Sequence, residues 1–122
     1  MARDQTHGIR RLFLSLGEAR HAAPWQPLVD VYRTRDGWLI KADLAGVRPE
    51  DIELSARGTR LSIRGVRRDW SLEEGCCHYR LEISYSRFER AIDLPENLER
   101  AGITSEYREG MLLVRIRNEA NP

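Results

Sequence analysis

The most reactive side chains in the sequence lie side by side at Cys76, Cys77 and His78. Thiolates and imidazoles both bind zinc, which takes four ligands in a structural site. Adjacent cysteines seldom share one tetrahedral ion, and no fourth ligand stands at a fitting spacing. The pattern therefore favours two reduced thiols in a loop over a metal site. A disulfide between subunits under oxidising conditions is a third interpretation.

Candidate groups for acid–base or nucleophilic catalysis do not form a recognisable set. The other histidines, His7 and His21, have no acid and nucleophile at a suitable spacing. The sequence contains no GxSxG or HExxH motif and no glycine-rich phosphate loop. The acids Glu50, Asp51 and Glu53 follow a proline at a predicted strand start, where charges commonly protect a sheet edge. We expect no enzymatic activity, no cofactor and no metal.

The charge distribution argues against nucleic-acid and membrane partners. The 122 residues include 20 Lys and Arg and 19 Asp and Glu, for a formal net charge of +1. Arg64, Arg67 and Arg68 form a small basic cluster, but acidic residues follow at once. The sequence therefore does not show the concentrated positive charge that is typical of nucleic-acid binding. No apolar run approaches the roughly 20 residues that span a bilayer, and the N-terminus lacks a signal-peptide pattern. We expect a soluble, cytoplasmic protein.

Residues 87–95 place a charged side chain among apolar ones. Phe88, Ile92 and Leu94 alternate as in a half-buried strand, and Arg90 falls on the same parity. The run ends at Pro95, which cannot donate to a sheet ladder. A cation in an inward position is costly unless a carboxylate or carbonyls receive it. We predict that Arg90 meets such a group in its own subunit or in another.

The chain has three predicted parts: an arm and linker at residues 1–27, a β-sandwich domain at 28–117 and a short tail at 118–122. In the arm, one stripe of a short amphipathic helix is formed by Ile9, Leu12, Phe13 and Leu16. Such a short helix is marginal alone and must pack on something. From residue 28 onward, apolar residues alternate with polar ones in about eight short segments with turn signals between them. This pattern predicts an all-β, antiparallel two-sheet sandwich.

The charged segment 66–77 interrupts this pattern. It contains one apolar pair at strand spacing, Trp70 and Leu72. This pair either folds back on its own core or pairs with the exposed strand edge of another subunit. After it, Tyr79, Leu81 and Ile83 alternate with polar residues and predict a further strand.

Four pieces of the sequence follow one another within residues 27–116: PLVDVYRTRDGWLIKADLAGV, DIELSARGTRLSIRG, SYSRFERAIDLP and ITSEYREGMLLVRI. In this order they resemble the alpha-crystallin domain of small heat-shock proteins of the bacterial and plant type. The chain departs from the family pattern at Ala45, where the family has proline, and at Ser86 and Ser105. The I-x-I/V motif that family tails carry does not follow residue 116. A dimer that associates further through the arm is therefore expected rather than a large shell.

The resemblance implies an immunoglobulin-like sandwich that dimerises by exchange of a loop strand. The implied dimer interface consists of Val29, Val31, Trp70, Leu72 and Arg90. It also implies a groove that receives apolar segments, here between residues 52–56 and 88–94. Its residues would be Ile52, Leu54, Ile92 and Leu94.

The resemblance further implies an ATP-independent holdase chaperone that keeps unfolding client proteins from aggregating under stress. An alternative is a non-catalytic adaptor on the same fold, which binds one specific partner or co-assembles with a longer paralogue. Many denatured clients would indicate a holdase, and a single stoichiometric partner would indicate an adaptor.

Overall fold

The computed structural model describes residues 24–70 and 73–118. The predicted arm helix, with its stripe at Ile9, Leu12, Phe13 and Leu16, lies outside these ranges, as do Leu72 and most of the tail. Within them, the regular structure is almost entirely strand, with one short 3-10 helix at Pro49–Asp51.

Seven strands form two antiparallel sheets in the described part of the chain. They are β1 (Val29–Arg33), β2 (Gly37–Asp43), β3 (Ile52–Arg57), β4 (Arg60–Val66), β5 (Arg87–Asp93), β6 (Gly102–Arg108) and β7 (Met111–Arg117). One sheet has the order β1-β2-β7-β6, and the other has the order β3-β4-β5. The predicted all-β, antiparallel sandwich is confirmed.

The alternating apolar residues of the strands supply the core between the sheets. Ile40 and Ala42 on β2 and Leu61 and Ile63 on β4 are fully buried. Apolar side chains on one face of each strand are removed from water, which is the main favourable contribution to folding. Lys41 and Ser62, which lie between these pairs, are half-buried, and Arg64, which follows Ile63, is exposed. The period-two pattern thus gave the correct inward face for these strands.

Strand β7 carries apolar residues on both of its faces. Leu112, Val114 and Ile116 point into the core. Leu113 points to the opposite face, where it stands between Lys41 and Glu106 of the neighbouring strands and is only 9% exposed. Long side chains on flanking strands shield apolar atoms with their stems. The central position of β7 therefore explains the continuous apolar run at residues 111–114.

Gly65 allows the turn before β3 to lie against β4. A Cβ atom at this position would overlap the backbone carbonyl oxygen of Asp51 and press on the ring of Phe88. Only glycine permits such a close backbone approach without displacing its neighbours. The β3–β4 pair and the Pro49–Asp51 turn are fixed together in this way.

The strand predicted around Tyr79, Leu81 and Ile83 does not form. In the described part of the segment between β4 and β5 no strand is present, and Tyr79 is 97% exposed. A strand requires a neighbouring ladder that supplies hydrogen bonds. None of the seven described strands provides one for residues 79–84, so the prediction is wrong for the single chain.

Candidate functional site

Arg90 lies on β5 between inward-facing apolar residues, as its parity predicts. Its Nη1 donates a hydrogen bond to the carbonyl oxygen of Pro27 at 3.0 Å. Phe88 and Ile92, two residues to either side, are buried. The charge thus reaches a main-chain acceptor of its own subunit, which is one of the two predicted solutions. Its place at a dimer interface stays a prediction.

A surface groove lies between the edges of the two sheets. Ile52 and Leu54 on β3 form one wall, and Ser105 and Tyr107 on β6 form the other. Leu112 contributes to the lining, and the groove has a volume of about 380 Å³. Because β3 and β6 are outermost in their sheets, this side of the sandwich has no further strand over it in the described chain.

Ile92 and Leu94 do not belong to this groove. Strand β4 lies between β3 and β5, so these two strands cannot form its two walls. Ile92 is 8% exposed and Leu94 is 5% exposed, and both pack in the core. The predicted second wall is therefore wrong, and the strand opposite β3 is β6.

Tyr107 is a groove residue that sequence reasoning missed. Its hydroxyl donates a hydrogen bond of 2.7 Å to the carbonyl oxygen of Leu44, and burial raises its pKa above the ordinary value of 10.0. The phenol therefore stays protonated and fixes the ring against the wall. The alternation of Ile103, Ser105 and Tyr107 was the available signal, but it did not show which sheet edge β6 would face.

Strand β1 is the outermost strand of the larger sheet. It pairs only with β2 among the described strands, so one side of its backbone is unpaired in this chain. Val29 packs on the core, whereas Val31 and Tyr32 are exposed. Leu28, just before β1, is also exposed. Open edges of this kind are able to recruit another extended segment by strand addition.

Trp70 folds back on its own subunit. Its indole Nε1 donates to the carbonyl oxygen of Gly46 at 3.1 Å, and the guanidinium of Arg48 lies 5.3 Å from the ring centroid. The side chain nevertheless remains 57% exposed. Of the two interpretations left open by the sequence, the single chain shows folding back. Leu72, its predicted companion, lies outside the described residues.

Cys76 and Cys77 lie in the same loop and form no disulfide within the described residues, and Cys77 is exposed. Across residues 24–70 and 73–118, no three His, Cys, Asp or Glu side chains come close enough to hold a metal ion. The described part of the chain also has no helix long and apolar enough to cross a membrane.

Residues 30–122 match the model of the Hsp20/alpha crystallin family. The chain belongs to this family. It is 34% identical over 98 residues to Spore protein SP21 of Stigmatella aurantiaca (strain DW4/3-1), covering 79% of this chain and 58% of that protein. It is 28% identical over 90 residues to Small heat shock protein C2 of Rickettsia felis (strain ATCC VR-1525 / URRWXCal2), covering 74% of this chain and 58% of that protein. The chain thus spans little more than half the length of these relatives.

Solved structures of small heat-shock proteins share the fold. HspA from Xanthomonas axonopodis is 37% identical, with a TM-score of 0.65 over 78% of this chain and 95% of that one. A small heat-shock protein from Xylella fastidiosa is 33% identical, with a TM-score of 0.66 over 82% and 92% of the two chains. The sandwich of this chain is therefore an alpha-crystallin domain, and the resemblance drawn from sequence motifs is confirmed.

Proposed function

We propose that this small heat-shock protein is an ATP-independent holdase that binds apolar segments of unfolding proteins and prevents their aggregation. The groove between β3 and β6 carries this proposal, because it presents Ile52 and Leu54 at an open side of the sandwich. Apolar side chains in a preformed groove suit an extended apolar segment. Membership in a family of chaperones supports the same conclusion.

The groove favours weak and reversible binding. Burial of one Leu- or Ile-sized side chain contributes about 1.5–3 kcal/mol, and association has an entropic cost of several kcal/mol. One groove of about 380 Å³ therefore holds a client only briefly. Several weak contacts on one assembly would raise the overall affinity through effective concentration. Release then needs no nucleotide, because a refolding client withdraws its apolar segments.

We also propose that the chain forms a homodimer through its loop and the open edge of β1. The family resemblance implies that residues 70–72 are the exchanged segment and meet Val29 and Val31 of a second copy. Residues 79–83 offer a better-supported segment, because Leu81 and Ile83 alternate as in a strand but pair with none of the described strands. Strand addition at β1 would supply that ladder.

Light scattering of a heated, heat-labile client protein tests the holdase proposal. With this protein present at about one dimer per client and no ATP, we expect scattering to be strongly suppressed. Unchanged scattering at that ratio and at a severalfold excess would overturn the proposal. A parallel pull-down from heated cells separates the alternatives, since a single stoichiometric partner would indicate an adaptor.

A further inference from the structure

Residues 24–27, which precede β1, lie along the outer edge of β5. The amide of Trp25 donates to the carbonyl oxygen of Arg87 at 3.1 Å, and the amide of Glu89 donates to the carbonyl oxygen of Trp25 at 3.2 Å. These two bonds form a parallel bridge beside Phe88. We call residues 24–27 the strap. The strap pairs with β5 as a short added strand would.

The side chain of Trp25 fills a position defined by three groups. The centroids of the Trp25 and Phe88 rings lie 5.3 Å apart. The guanidinium carbon of Arg67 lies 4.1 Å from the centroid of the Trp25 ring. The indole Nε1 donates to the carbonyl oxygen of Ser86 at 3.2 Å. The position therefore recognises a large aromatic ring by a tilted ring–ring contact, with 54° between the ring planes, and by a cation–π contact.

The guanidinium of Arg67 lies over the face of the Trp25 ring. Its Nε atom is buried and has no hydrogen-bond partner in the described part of the chain. Burial lowers the pKa of its guanidinium below the ordinary value for arginine, although the group stays charged. A cation without full solvation gains more from a ring face than a solvated one does. At the other end of the strap, Arg90 holds the carbonyl oxygen of Pro27.

These contacts are few compared with the ladder on the other side of β5. Two main-chain hydrogen bonds, one side-chain hydrogen bond and two ring contacts hold Trp25 at this edge. Strand β4, in contrast, pairs with β5 along its whole length, from Arg60 opposite Asp93 to Val66 opposite Arg87. Trp25 is thus the weakly held occupant of an otherwise open edge, whereas Pro27, at the other end of the strap, is buried and bonded to Arg90.

We propose that the outer edge of β5, from Ser86 to Arg90, is a second client-binding site that takes an extended segment with an aromatic residue. The strap occupies this site within its own chain and competes with the client. The client's aromatic ring replaces Trp25 between Phe88 and Arg67, and its backbone pairs with Arg87 and Glu89. This inference rests on the proposed holdase function and names a class of client segment. The site is distinct from the groove, which lies at the β3 edge of the same sheet.

A labelled peptide with the sequence of residues 24–28, PWQPL, tests the site by fluorescence anisotropy. The apparent affinity for a site equals its intrinsic affinity multiplied by the fraction of time that the site is vacant. We therefore expect the Trp25→Ala variant of the full chain to bind the peptide at least about tenfold more tightly than the unaltered chain. A peptide with alanine in place of tryptophan should bind neither chain. The Trp25→Ala variant must keep its cooperative thermal transition for the comparison to count. If such a variant binds the peptide no more tightly than the unaltered chain, or does not bind it at all, the proposal is overturned.

Hydrogen exchange on the unaltered chain provides a second test that needs no variant. If the strap opens, the amide of Glu89 should exchange faster than the amides of the β4–β5 ladder. Equal protection would show that the site is never vacated and would also overturn the proposal. The β5 site and the holdase function can be refuted independently. Suppressed scattering without peptide binding refutes only the β5 site. Peptide binding without suppressed scattering refutes only the holdase function.

Discussion

Arg90 shows how one inward-facing cation is accommodated without a carboxylate. Its guanidinium bonds to the carbonyl oxygen of Pro27, and Pro27 itself is buried. The alternation of apolar and polar residues in the sequence correctly predicted that the Arg90 side chain faces inward. The acceptor was not predictable, because Pro27 is 63 residues away along the chain and reaches Arg90 only through the path of the strap.

We predict that Arg90→Ala destabilises the chain by about 1–3 kcal/mol, since a buried carbonyl loses its donor. Chemical denaturation monitored by circular dichroism measures this change. Arg87→Ala on the same strand is the control, because the Arg87 side chain is exposed, and its effect should stay within about 0.5 kcal/mol. Equal effects of the two substitutions would contradict the assigned role of Arg90.

Tyr107 gives a second prediction at the residue scale. Tyr107→Phe removes the donor to the Leu44 carbonyl and should cost about 0.5–1.5 kcal/mol of unfolding free energy at neutral pH. Because burial raises the pKa of the phenol above 10.0, the folded chain holds its proton more tightly than the unfolded chain does. This contribution is complete below pH 10.0 and is lost as the pH rises through the folded-state pKa.

Urea denaturation at about pH 8 and about pH 11 measures this pH dependence. The stability difference between the unaltered chain and Tyr107→Phe should shrink at the higher pH. A difference that is constant or grows with pH would show that the hydroxyl is not the buried donor described here.

At the scale of elements, the groove is the clearest example of what the sequence did and did not reveal. Alternation identified Ile52 and Leu54 as one wall. It also placed Ile92 and Leu94 correctly on an apolar face, but that face is the core rather than the groove. A repeat of apolar residues at every second position distinguishes the two faces of a strand. It does not report the order of strands in a sheet, which here separates β3 from β5 by β4.

The groove supports a paired prediction on β3. Leu54→Asp places a charge in the groove and should weaken suppression of client aggregation severalfold, because a carboxylate there must be desolvated when an apolar segment binds. Ser55→Asp is the matched control, since Ser55 is exposed and points to the opposite face. Dose–response curves of light scattering compare the two variants. Equal suppression by both, with circular dichroism unchanged, would remove the groove from client binding.

The loop between β4 and β5 illustrates a different limit of sequence reasoning. Residues 79–83 have the alternation of a strand, yet no strand in the described part of the chain pairs with them. A pattern of side chains specifies a face, whereas a strand also requires a partner for its backbone. This mismatch is expected when the partner belongs to another subunit.

Two double substitutions separate the candidate exchanged segments. Leu81→Ser with Ile83→Ser should convert a dimer to monomers in sedimentation velocity if residues 79–83 are exchanged. Trp70→Ser with Leu72→Ser should do so if the earlier assignment is right. If both variants stay dimeric, the interface lies elsewhere and the exchange proposal is wrong.

At the scale of the whole molecule, the fold and family were predictable, whereas the arrangement of interaction surfaces was not. Local alternation and turn signals specify strands, and ordered motifs specify the alpha-crystallin sandwich. The binding surfaces proposed here all lie at sheet edges: β1 in the larger sheet, and β3 and β5 in the smaller one. Edges arise from strand order, so they become visible only in three dimensions.

The proposed holdase function requires that the chain keeps unfolding proteins in soluble complexes without ATP. Size-exclusion chromatography with multi-angle light scattering, applied to a client heated with this protein in the absence of nucleotide, tests it most directly. We predict a soluble species that contains both proteins and exceeds the mass of either assembly alone, and that is absent from the unheated mixture. Pelleted client with all of this protein eluting at its own mass would contradict the claim.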